Sequence, residues 1–238
     1  MSGHSKWSKV KHQKATTDVV KGREFTKAAR AITIAVRSGG GDGNPTHNFH
    51  LRLAIEQAHD VNMPKENIER AIEKGQGIGG GSIEQILYEG YGPSGVAMII
   101  EAATDNKQRT VAAIKNLLER AGGTITSPGA VSYLFDRAGI ITVSKNSKSY
   151  DQMLEAALDA GASDVVETDD MFEVYTSITS LSDVKQKITE KGIGIDNTAI
   201  IMKPKTLMGL SQDKQRQVEE LVSQLEDLDD VQNVFTNL

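Results

Sequence analysis

Hydrophobic positions in the first third of the chain recur at helical spacing. Phe25, Ala29, Ile32 and Val36 fall on one stripe of a helix that Thr17 or Asp18 can cap and that ends at Ser38, where Gly39-Gly40-Gly41 stops it. At roughly 100° per residue, Arg23, Lys27, Arg30 and Arg37 gather on the opposite face. A second helix is predicted from about Thr46 to Asp60, with Leu51, Ala54, Ile55 and Ala58 turned inward. A third begins at Met63-Pro64, with Asn62 or Met63 as its cap, and ends at Gly75. Three short helices of this kind make one small bundle.

Beyond Ile83 the pattern changes to strands and helices. Strands are expected at Gln85–Tyr91, Val96–Ala103 and Ala130–Phe135. A helix opening at Asn106 and carrying Val111, Ile114, Leu117 and Leu118 lies between the last two and ends at Gly122-Gly123. The next segment reads as strand Ile140–Val143, a helix from the Ser149 cap to Ala160, strands Asp164–Thr168 and Phe172–Thr176, a helix from Ser180 to Lys191 and strand Thr198–Lys203. That β-α-β-β-α-β order is the ferredoxin-like signature. The final helix, Asp213–Leu225, and strand, Val231–Thr236, have no sheet of their own and most simply return to the first one. The expected fold class is therefore α+β and multidomain. It comprises a three-helix domain over 1–78, a discontinuous α/β domain over 79–136 and 207–238, and an inserted ferredoxin-like domain over 137–206.

Composition adds one thing to this picture. The 238 residues carry a net charge of −5, but the first 37 hold nine Lys/Arg against Asp18 and Glu24, a net of +7, which leaves −12 for the rest. Such asymmetry points to nucleic acid, with a lysine-rich solvated helix as the plainer alternative. All five histidines also lie in the first 60 residues. The absence of cysteine removes disulfides and thiolate chemistry. With no membrane-length apolar run and no secretory pattern at the start, the expectation is a cytoplasmic protein.

The opening GHSKWSKVKHQK sets Trp7 among lysines, which supply phosphate contacts, while an aromatic ring can stack on an unpaired base or instead fasten the arm to the bundle. The candidate nucleic-acid-binding residues are His4, Ser5, Lys6, Trp7, Lys9, Lys11, His12, Lys14, Lys21, Arg23, Lys27, Arg30 and Arg37. His4 and His12 lack the companions of a metal site, and His4 with Ser5 or Ser8 lacks a third catalytic member. No catalytic residue, cofactor or metal is expected, and the chain reads as a binding protein rather than an enzyme. Gly75, Gly77 and Gly80 spell G-x-G-x-x-G, but a helix precedes and a strand follows, the reverse of the dinucleotide fingerprint, so the segment reads as a linker. The acidic run Glu226-Asp227-Leu228-Asp229-Asp230 lacks calcium-loop spacing and suits a helix end or a domain contact.

GHSKW at 3–7, RSGGGD at 37–42, NMPKENIERAIEKG at 62–75, YEGYGPSGVA at 88–97, TDNKQRTVA at 104–112, EAALDAGASDV at 155–165 and LEDLDDVQNVFTN at 225–237 together resemble the YebC/PmpR family, in order along the whole chain. The sequence departs from the usual family pattern at Asn48-Phe49-His50 before Leu51-Arg52 and at Thr16-Thr17. The resemblance implies a three-domain cytoplasmic regulator of gene expression, described either as a DNA-binding transcriptional regulator or as a ribosome-associated translation factor that relieves stalling on proline-rich stretches. A mitochondrial relative acts as a translational activator. In the second reading the GHSKW loop and the basic residues after it face ribosomal RNA, the ribosome is the partner, no membrane is involved, and a monomer is expected.

Overall fold

The computed structural model describes residues 18–78, 83–145 and 149–238, with side chains from 21 onward. Helix α1 (Asp18–Ser38) is followed by α2 (Phe49–Asp60) and α3 (Lys65–Gly75). The apolar stripe of α1 meets those of α2 and α3 in one cluster: Ile32, Val36, Leu51, Ala54, Ala58, Met63, Ile68 and Ala71 are buried, and Phe25 and Ala29 pack against them. Thr33 enters this apolar contact because its hydroxyl proton is shared between two carbonyls, those of Ala29 at 2.9 Å and Ala71 at 3.0 Å. Helix α2 starts three residues later than the pattern suggests because Asn48 is its cap. The Asn48 side chain accepts from the Leu51 N–H at 3.0 Å and donates to the Ala35 carbonyl at 2.8 Å, tying α2 to the end of α1. Gly75 is more than a stop signal. A Cβ there would lie 2.6 Å from Val36 Cβ and 2.9 Å from the Thr33 carbonyl, so α3 ends against α1 at a distance only glycine permits.

Strands β1 (Glu84–Tyr91), β2 (Ala97–Thr104), β3 (Thr124–Thr126) and β8 (Val231–Thr236) form an antiparallel sheet in the order β3-β1-β2-β8. The β1–β2 hairpin closes over Pro93-Ser94-Gly95, where Ser94 takes φ 61° and Gly95 φ 79°. The expected capping residue Asn106 opens α4 (Lys107–Arg120), accepting from the Arg109 N–H at 3.0 Å. Helix α4 and α7 (Gln212–Glu226) pack together, burying Ile114, Leu118, Val218, Leu221 and Leu225. The expected strand at Ala130–Phe135 is not formed. Residues 127–131 turn instead, Gly129 sits at φ 91°, and a short helical turn over Ser132–Leu134 leads into β4 (Phe135–Ser144). The physical reason is Glu89, a buried carboxylate that accepts the backbone N–H groups of Gly129 at 2.8 Å, Val131 at 2.7 Å and Ser132 at 2.9 Å. Donors committed to a carboxylate cannot join a strand ladder.

The chain divides into two compact units, one holding described residues 18–132 with Gly209–Thr236, the other Tyr133–Met208 with Asn237–Leu238. The second unit has the sheet order β5-β6-β4-β7, with β5 (Asp164–Glu167), β6 (Met171–Thr176) and β7 (Asn197–Pro204). Helices α5 (Tyr150–Ala160) and α6 (Leu181–Glu190) complete the ferredoxin-like βαββαβ order inserted between β3 and β8. Ser149 and Gln152 form a capping box on α5, and Gly161 at φ 100° ends it. Met153, Ala157, Leu181, Val184 and Ile188 supply the apolar faces of the two helices.

Candidate nucleic-acid interface

Helix α1 carries the described members of the predicted cationic set. Lys21 is exposed. Arg23, Lys27 and Arg30, one turn apart, all reach the acidic turn that follows α7. Arg23 pairs with Asp227 at 3.1 Å, Lys27 donates to the Glu226 carbonyl, and Arg30 donates to the Asp229 carbonyl while its Nη1 lies 2.8 Å from Asp230 Oδ1. The Glu226 carbonyl belongs to the last turn of α7, where a helix leaves oxygens unsatisfied and its dipole is negative, and the Asp229 carbonyl follows three residues later. Arg37 donates to the Ile83 carbonyl at 2.8 Å. Burial lowers the pKa of Lys27, against the opposing pull of Glu226, Glu24, Asp227 and Asp229. His4, Ser5, Lys6, Trp7, Lys9, Lys11, His12 and Lys14 lie outside the described residues.

Asp230 is the centre of this contact. Buried in the turn just before β8, it accepts from Thr110 Oγ1 at 2.7 Å, from Arg109 Nη2 at 3.0 Å and from Thr104 Oγ1 at 3.3 Å, and it faces Arg30. Burial pushes its carboxyl up, but the bonds from Thr110 and Arg109 and the charge of Arg30 outweigh it and hold the pKa below the ordinary aspartate value. Arg109 also takes Asp105 at 2.8 Å. A cavity of about 400 Å³ opens beside these groups, lined in part by Arg30, Asp105, Arg109, Thr110 and Asp229. With Asp230 also in its lining, two guanidinium groups meet three carboxylates, so it offers no uncompensated positive pole to an anion. Among the described residues no group of three His, Cys, Asp or Glu side chains is placed to hold a metal, and no helix is long and apolar enough to cross a membrane.

Sequence reasoning missed Glu89 and Asp230. Glu89 stands in a strand beside Gly90 and opposite Ile99, a place where an acid needs a partner. Asp230 stands more than a hundred residues from Thr104, Arg109 and Thr110, all within the TDNKQRT stretch. Of the glycine motif, Gly75 packs against α1 and Gly77 takes φ 90°, while Gly80 lies outside the described residues.

Two family models cover nearly all of the chain: the TACO1/YebC protein N-terminal domain over residues 5–78, and the TACO1/YebC second and third domain over residues 83–238. The chain belongs to the TACO1/YebC family. Among TACO1/YebC relatives, a protein of Thermoanaerobacter pseudethanolicus named a probable transcriptional regulatory protein is 46% identical over 240 residues, spanning 100% of this chain and 97% of that one. A Chloroflexus aggregans protein of the same name is 47% identical over 241 residues, at 100% and 95% coverage. The crystal structure of a conserved hypothetical protein from Aquifex aeolicus superposes with a TM-score of 0.87 at 40% identity, covering 97% of this chain and 95% of that one. The α+β arrangement of the YebC fold is thus shared between them.

Proposed function

We propose that this chain is a ribosome-associated translation factor that binds ribosomal RNA through its basic N-terminal segment and relieves stalling on proline-rich sequences. The observation that carries the binding half is the net charge of +7 confined to residues 1–37, in a chain whose remainder is acidic. A long RNA-coating surface would need cations distributed along the body, whereas a local basic segment suits insertion into one site. Lys6, Lys9, Lys11, Lys14 and Lys21 are the phosphate contacts in this reading, with Trp7 available to stack on a base and His4, Ser5 and His12 to hydrogen-bond. The choice of the ribosome and of proline-rich stalling follows from family resemblance.

The names of the relatives favour a second reading, a DNA-binding transcriptional regulator. Against it, the sequence presents no base-reading helix of helix-turn-helix type. Co-sedimentation with purified ribosomes at low salt, comparing the wild type with a K6E/K9E/K11E variant, tests the proposal. Ribosome association that the triple reversal abolishes is the expected result. Failure of the wild type to co-sediment, together with a discrete footprint on promoter DNA that survives competitor DNA, would overturn it in favour of the second reading.

A further inference from the structure

The cationic face of α1 and the acidic turn 226–230 meet inside one compact unit, and the character of that meeting is informative. The three helices bury their apolar stripes against one another, whereas the bonds from α1 to the turn are polar. Its strength is graded along α1. The Arg23–Asp227 pair is open to solvent, with 41% and 69% of the side chains exposed, whereas Arg30 and Asp230 retain only 17% and 10%. Exposed pairs are weak and screened by salt. The turn offers α1 carboxylates and carbonyl oxygens, the same oxygen chemistry that a phosphate backbone offers.

We propose that the turn 226–230 occupies the cationic face of α1 in place of nucleic-acid phosphates and is displaced from it by a polyanion, beginning at Arg23 and Lys27. The contact is an internal competitor: it withholds Arg23 and Lys27 from RNA until a strand already held by the N-terminal segment presents phosphates close to α1. This inference rests on the nucleic-acid reading above and assigns its regulation to Asp227 and Asp229. Asp230 stays in place as the anchor, since Arg109, Thr104 and Thr110 also hold it.

The test uses the full chain and poly(U) as probe, with affinity measured across a salt series. The D227N/D229N variant removes charge from two exposed side chains. Release of Arg23 and Lys27 to a single strand steepens the slope of log affinity against log salt by about 1.4 and tightens low-salt binding several-fold. Adding R23Q/K27Q to that variant is expected to cancel most of the gain, while R23Q/K27Q alone leaves the wild-type slope nearly unchanged. A matched neutralisation on the other unit, D170N/E190Q, corrects for the general effect of net charge. The inference is overturned if D227N/D229N leaves the slope at the wild-type value, if D170N/E190Q produces the same change, or if R23Q/K27Q alone flattens the slope fully. Because poly(U) carries no ribosomal feature, a changed slope alongside failed ribosome co-sedimentation would sink the translation reading and keep the competitor.

Discussion

Replacing Glu89 with Gln isolates one carboxylate that organises a whole turn. Glu89 Oε1 takes one backbone N–H, from Gly129, and Oε2 takes two, from Val131 and Ser132. A Gln side chain keeps one oxygen and turns an NH2 group toward donors, so at least one bond becomes a donor–donor clash. Hydrogen bonds to a charged group contribute about 1.5–3 kcal/mol each, and an unpaired buried donor costs about 1–3 kcal/mol. The E89Q loss should therefore be on the order of 3 kcal/mol, less what local opening of the turn recovers. Urea unfolding gives the stability, and amide exchange at Gly129, Val131 and Ser132 locates the loss. Burial raises the carboxyl pKa, but the three N–H groups overcome it and depress it below the ordinary value of 4.5. For a depressed carboxyl the stabilisation is complete above the unfolded pKa and lost as pH falls through the folded one. Wild type should lose protection in the turn on acidification, and E89Q should not show that step. An E89Q variant within about 0.5 kcal/mol of wild type, with the three amides still protected, would refute the account.

Glu173 behaves in the opposite sense: it is fully buried, accepts from the Tyr175 hydroxyl at 2.7 Å, and burial raises its pKa from 4.5 to about 7. A raised carboxyl leaves stability unaffected below the unfolded pKa and costs progressively more up to the folded one, on the order of 3 kcal/mol here. E173Q should thus abolish a decline in stability between pH 4.5 and 7, and an unchanged decline would contradict this. D230N should destabilise by about 2–4 kcal/mol, since it leaves the half-buried Arg30 without its counterion, measured by urea unfolding; a change under about 0.5 kcal/mol would be inconsistent with the anchor role. G75A should lower stability by about 1–3 kcal/mol through overpacking against Val36, seen as a reduced Tm, and a neutral result would mean α3 can shift freely.

Local periodicity made much of this fold legible. The stripe Phe25-Ala29-Ile32-Val36 named the buried face of α1, and the Ser149 cap and Gly161 bracketed α5, because each signal lies within one element. Residues 130–135 misled for a related reason. Ala130-Val131-Ser132-Tyr133-Leu134-Phe135 alternates like a strand, but its amides are used by Glu89, some forty positions earlier. The cationic stripe was legible as a stripe, yet its acidic partner was not, since Arg23 and Asp227 are separated by 204 positions and periodicity carries no long-range information. For the same reason Asp230 read as one member of an acidic run rather than as a buried counterion.

The position of β8 at the edge of the first sheet has a temporal consequence. Synthesis delivers α1, β1 and β2 early, then the whole inserted ferredoxin-like unit, and only after it the residues that pair with Met98 to Ala102. Until then β2 has an unpaired edge, and α1 has no acidic turn to rest on, because Glu226 to Asp230 arrive with β8. A nascent chain thus passes through a stage in which α1 presents Arg23, Lys27 and Arg30 uncovered, and arrival of residues 226–236 both seals the sheet and covers that charge. Premature termination after β7 would leave a chain with an exposed strand edge open to pairing with other chains and a permanently uncovered basic helix, a more adhesive molecule than the finished one.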